Sequence, residues 1–195
     1  MDSPGHGQSG AMKKKISSAK MAKDVYDLLE TLHLDQYVLV GHSDGANLAI
    51  AYENLFPHKV GGLLLNAGNI TFFGLLLHYV FSISIKVLKL ALGSIFSPKK
   101  RNAYHVAQLM MAHQTIVPSH FSDSIPVFVL VGQRDMIRPS HSLKISQQYS
   151  NSRLITIPNM GHNVNKKPGV LDAVLAELMV EVEKSNQKFI HKNTE

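Results

Sequence analysis

The stretch Tyr37-Val38-Leu39-Val40-Gly41-His42-Ser43-Asp44-Gly45-Ala46-Asn47-Leu48-Ala49-Ile50-Ala51-Tyr52 decides the reading of this chain. Four apolar residues run into Gly41 as a short strand, and an apolar-patterned segment leaves Gly45 as a helix. Between them stands Gly-His-Ser-Asp-Gly, a serine in a turn too tight for a flanking side chain. A turn of this kind lifts a hydroxyl clear of the sheet. Glycines at 41 and 45 are expected to remove side chains that would collide with crossing elements.

Outward from that stretch the chain alternates helices with short apolar runs. Towards the N-terminus, Met21, Val25, Leu28, Leu29 and Leu32 recur at helical spacing, with Ser17 or Ser18 as cap. Residues 1–12 read as a Gly-, Ser- and Pro-rich loop. Towards the C-terminus, strands are expected over 60–66, 126–131 and 153–157, with a helix over 140–149. A last helix is expected to start with Pro168 at its first position and to fray after Asn186. Helix alternating with strand implies βαβ units and a parallel sheet covered on both faces.

Residues 70–120 interrupt the rhythm. Their first half is apolar at most positions, from Phe72 through Tyr79 and Leu88 to Phe96. Lys86, Lys89, His78 and Gly74 break the run, and it lies between two strands of one sheet, so no transmembrane segment is expected. A small helical lid lining an apolar pocket fits better, and its surplus apolar surface also suits a dimer contact or weak membrane association.

Composition narrows the classes. A chain of 195 residues with 45% hydrophobic and 17% charged residues is expected to form a single globular domain. The absence of cysteine removes disulfide and thiolate-metal chemistry. The eleven histidines show no metal-ligand spacing, so neither metal nor cofactor is expected, and G-x-G-x-x-G and G-x-x-x-x-G-K are absent. The net charge of +6 is dispersed in short runs rather than gathered in an aromatic-interleaved patch, so no nucleic-acid partner is expected. The N-terminus lacks a basic start followed by an apolar run, and a cytoplasmic location is the expectation.

Two residues fall at strand ends where catalytic groups gather in α/β sheets. Asp135 follows the 126–131 strand and His162 follows the 153–157 strand. His162 would take the proton of Ser43, and Asp135 would orient the imidazole. The plainer alternative makes Asp135 a turn cap and His162 an ordinary loop histidine. The Asp44 amide, at the start of the helix, is one expected oxyanion donor. Its side chain reads as a surface or entrance carboxylate, and His42 as packing near the site without titrating in the reaction.

Together Asp2-x-Pro4-Gly5-His6-Gly7-x-Ser9, Gly41-His42-Ser43-Asp44-Gly45, Gly132-x-x-Asp135 and Gly161-His162 resemble the α/β-hydrolase-fold superfamily, in its esterase/lipase-like branch with a small cap. The resemblance implies a mostly parallel sheet flanked by helices, a nucleophile elbow at Gly41, His42 and Gly45, and a catalytic triad of Ser43, Asp135 and His162. It implies a serine hydrolase acting on a small apolar acyl substrate, with a cap at 70–120. A serine nucleophile argues against the dehalogenase and epoxide-hydrolase branches, which use aspartate. Thioesterase, amidase, lactonase and perhydrolase chemistry stay open. The Asp-x-Pro-Gly stretch resembles the loop after the fourth core strand, so the chain is expected to be an N-terminally truncated form of the fold. Two consequences are expected. The elbow strand becomes an exposed edge that invites homo-oligomers, as does the cap. The second oxyanion donor is missing, which typically costs on the order of 100- to 1000-fold in rate. The alternative function is therefore a non-catalytic or impaired hydrolase-like protein acting as an interaction module.

Overall fold

The computed structural model describes residues 3–12, 15–111 and 124–192. In chain order the elements are α1 (Ser18–Thr31), β1 (Tyr37–His42), α2 (Asp44–Leu55), β2 (Val60–Asn66), α3 (Leu77–Ser94), α4 (Pro98–Leu109), β3 (Val127–Gly132), α5 (Pro139–Ser146), β4 (Ser152–Ile157) and α6 (Val170–Lys192). The four strands form one parallel sheet in the order β1-β2-β3-β4. This is a partial α/β-hydrolase architecture, with a helical region inserted between β2 and β3.

The alternation of side chains along a strand sorts the core into two layers. Leu63, Leu65, Val127, Val129 and Val131 meet Ala22 of α1, Ala46 and Ile50 of α2, and Ile145 of α5 on one face. Leu64, Phe128 and Leu130 meet Val174, Leu178 and Val182 of α6 on the other. β2 and β3 are buried along their whole length, which is why they read as unbroken apolar runs. β1 is an edge strand of this sheet, and Val40 is 48% exposed, the exposed edge expected of the elbow strand.

Caps follow local chemistry. Ser17, the first of the two candidates, accepts from the Lys20 amide at 3.2 Å. The last helix begins at Val170, not at Pro168. Gly169, at φ +74°, occupies a left-handed conformation that a helix interior does not accept, and this leaves Pro168 outside. The helix continues to Lys192, so the expected end near Asn186 is not where it stops. The middle helix is also shorter than the 140–149 expected, closing at Ser146.

Within the inserted region α3 and α4 form a helical hairpin. Residues 112–120 of the expected cap lie outside the described residues. The start of α3 is tied to the sheet's carboxyl end, where the Leu76 amide donates to the Met136 carbonyl at 2.9 Å and Leu75 bridges Ile137. The N-terminal loop is fastened to α4 by one side chain. Asn102 accepts from the Met12 amide at 2.7 Å and donates to the Gly5 carbonyl at 3.3 Å.

Candidate active site

Ser43 sits at φ +55° and ψ −120° between β1 and α2. A non-glycine residue there is strained, at a cost on the order of 1–3 kcal/mol. Its amide donates to the Asn66 carbonyl at 2.8 Å, which locks the turn onto the end of β2. Gly41 is required because a Cβ there would be driven into the Gly45 carbonyl. The reason given for Gly45 does not hold: a Cβ there would meet nothing within 4 Å.

The structure brings together three of the residues picked out in the sequence. Ser43 Oγ lies 3.0 Å from His162 Nε2, and His162 Nδ1 lies 2.9 Å from Asp135 Oδ1. The Asp135 side chain is almost wholly buried, that of His162 about one-fifth exposed. Asp135 Oδ1 also accepts from the Ile137 amide at 3.0 Å. The turn-capping role set against it in the sequence is thus present too, and one oxygen serves both contacts. With Asp135 holding Nδ1–H, Nε2 of His162 is left as the acceptor facing the serine hydroxyl. Such a chain can pass the hydroxyl proton to the imidazole as the oxygen attacks an electrophile.

The loop carrying His162 is held at several points that the sequence did not disclose. Gly132 ends β3 where the loop crosses it, and a Cβ at that position would strike the Met160 and Gly161 carbonyls. The Arg134 amide donates to the Met160 carbonyl at 2.8 Å, and Gln133 Oε1 accepts from the Asn159 amide at 3.0 Å. His42 adds a further tether, its Nε2 donating to the His162 carbonyl at 3.1 Å. The nearest sequence signal for these contacts was Gly132-x-x-Asp135, which showed the glycine without showing what approaches it.

Asp44 opens α2, with its backbone amide at the first turn of the helix. It lines a small hollow with Met21, Leu48, Asn47 and Leu109. Desolvation raises its carboxyl above the usual carboxylate range, although the residue as a whole is exposed. The imidazoles of His6, His162 and His42 and a hydrogen bond with Asn47 pull the other way. A larger hollow of about 340 Å³ lies between the Gly5–His6 turn and the hairpin, walled by Leu90, Val106 and Ala107 together with Lys86 and Asn102. Among the described residues no group of three or more histidine, aspartate or glutamate side chains is placed to hold a metal ion.

The family model for the alpha/beta hydrolase fold matches residues 1–93. Solved structures similar to this chain share its fold along most of its length. A thermophilic esterase from Thermogutta terrifontis superposes with a TM-score of 0.66 at 20% identity, covering 92% of this chain and 78% of the other. A carboxylesterase of the ammonia-oxidizing thaumarchaeon Nitrososphaera gargenis gives 0.69 at 16% identity, covering 94% and 79%. Est816, described as an N-acyl homoserine lactone degrading enzyme, gives 0.69 at 20% identity, covering 90% and 80%. Uncharacterised proteins of Mycobacterium bovis and Mycobacterium tuberculosis are 38% identical over 68 residues, 34% of this chain. That match spans 20% of the length of each mycobacterial relative. The chain has a partial α/β-hydrolase fold with a helical insertion between β2 and β3.

Proposed function

We propose that this chain is a serine hydrolase that cleaves a carboxylic ester or related acyl compound through an acyl-enzyme. The observation that carries the proposal is the unbroken hydrogen-bonded chain from Ser43 through His162 to the buried Asp135. Ser43 attacks the acyl carbon while His162 takes its proton. His162 then returns the proton to the leaving group, and Asp135 stabilises the imidazolium without being protonated. Water, deprotonated by the same imidazole, releases the acid. The Asp44 amide supplies one oxyanion donor. The acyl chain is assigned to the hollow beside Leu90 and Val106, whose lining also includes Lys86 and Asn102. Esterases and a lactone-degrading enzyme among the similar structures support the same class of substrate.

A hydrogen-bonded, pre-aligned serine also favours the enzyme over an interaction module, which has no need of a strained Ser43. A fluorophosphonate probe tests the reading directly. Peptide mapping is expected to find the adduct on Ser43, absent in Ser43→Ala and strongly reduced in His162→Ala. A well-folded chain that takes no label, or one that still turns over an activated ester as Ser43→Ala, overturns the proposal.

A further inference from the structure

α3 is apolar on two opposite sides. Its inner side, with Tyr79, Val80 and Ile83, packs on Phe72, Leu75 and Ile137. Its outer side carries Leu77, Phe81, Ile85, Leu88 and Leu92, spaced by four, four, three and four residues and so aligned in one stripe. Phe81 is 69% exposed, Leu88 and Leu92 are each 61%, and the stripe continues into Ile95 and Phe96 at 67% and 87%. A helix that is apolar on two sides calls for a partner on each, and among the described residues only the inner one is supplied.

Charge identifies the missing partner. No aspartate or glutamate occurs between Glu53 and Asp123, whereas the hairpin carries Lys86, Lys89, Lys99, Lys100 and Arg101. All five are exposed, and none of them is in an ion pair among the described residues. Lys89 flanks the stripe along one side of α3, whereas Lys86 lies further round the helix and lines the hollow facing the Gly5–His6 turn. Arg101 donates to the Ser94 carbonyl at 3.3 Å and so brings the basic start of α4 against the end of the same helix. A second copy packed on this face would bring cation towards cation with no carboxylate between them. An anionic lipid surface offers both the apolar layer and the counter-charge.

The helix has the length and composition of a membrane span, 18 residues at a mean hydropathy of 1.2. Its inner side is nevertheless occupied by protein, and α4 turns back along it, so lipid reaches only the outer stripe. That is the arrangement of a helix lying in the plane of an interface, with lysines reaching up to the headgroups.

We propose that the outer face of α3, with the basic start of α4, docks this protein on an anionic lipid bilayer. The inference is independent of the catalytic reading, since none of the stripe residues touches Ser43, Asp135 or His162 in a hydrogen bond.

The test is flotation of the full chain with vesicles of phosphatidylcholine alone and of phosphatidylcholine mixed with phosphatidylglycerol, alongside analytical ultracentrifugation without lipid. The expected result is binding to the anionic vesicles, weakened by salt, at least about tenfold stronger than to the neutral ones. Lys89→Ala and Lys100→Ala should each weaken it by about fivefold. Leu88→Ser with Leu92→Ser should weaken it by at least about tenfold. Circular dichroism checks that the variants keep their fold, as substitutions at outward-facing positions should. Three results overturn the proposal: no flotation with either vesicle, equal flotation with both and no effect of the lysine changes, or a lipid-free dimer that the double leucine variant dissociates. The last would assign the face to a second copy.

Discussion

The Nε2 of His42 donates to the backbone carbonyl of His162 at 3.1 Å, so the residue before the serine holds the main chain of the histidine that faces it. The two rings stand 5.1 Å apart and tilted. Nε2–H on His42 is fixed by its carbonyl acceptor, which makes His42 a donor at this contact and leaves it no call on the serine proton. His42 is therefore a positioning residue. His42→Phe keeps a ring beside His162 and removes the donor. A single neutral hydrogen bond contributes about 0.5–1.5 kcal/mol, so kcat on a small activated ester should fall by roughly two- to tenfold. KM should hold, because neither His42 nor His162 lines the hollow proposed for the acyl chain. Steady-state kinetics separate the two, and an unchanged kcat would mean that the tether positions nothing.

Two glycines that look alike in the sequence should respond differently to alanine. At Gly132 the added methyl meets the Met160 and Gly161 carbonyls, backbone atoms that cannot rotate away. The loop must shift, and His162 lies at its end. Gly132→Ala should cost about 1–3 kcal/mol of stability and lower fluorophosphonate labelling of Ser43 steeply. At Gly45, early in α2, the methyl meets open space. Alanine there should stabilise the helix by up to about 1 kcal/mol. Thermal unfolding of the pair, with wild type as reference, reads out both signs.

The contrast shows what a linear sequence discloses. β2 was legible to the residue because it is buried on both faces, and burial on both faces writes an unbroken apolar run. The strand–turn–helix around Ser43 was legible because strain demands glycine at 41. Asp135 and His162 were legible as strand-end residues, although their hydrogen bond joins positions 27 apart and only folding makes it. What stayed hidden lies in contacts between distant segments. Asn102 binds the N-terminal loop across 90 residues, and nothing local marks an asparagine as a staple. Pro168 looked like a helix start until the left-handed Gly169 placed it outside. In 71–96 the sequence showed a surplus of apolar residues, but only the packing of Tyr79, Val80 and Ile83 shows which stripe is left over.

Asp44 provides a stability test in which the sign is the result. Its carboxyl is raised above the ordinary value of 3.8, chiefly by desolvation and against the imidazoles of His6, His162 and His42. The folded state thus holds this proton more tightly than the unfolded state does. As pH climbs through 3.8 the unfolded chain ionises first, and stability falls until the folded carboxyl has ionised as well. Above that window the loss is constant. Asp44→Asn carries no such charge, so relative to wild type it should gain stability between acid and neutral pH and show no gain below the ordinary carboxylate range. Melting curves of both proteins across that interval measure the difference. The start of a helix favours a carboxylate by about 0.3–1 kcal/mol, and that attraction competes with burial here. If Asp44→Asn were the less stable protein at neutral pH, the helix and the imidazoles would outweigh desolvation, and Asp44 would be a stabilising anion at the mouth of the site.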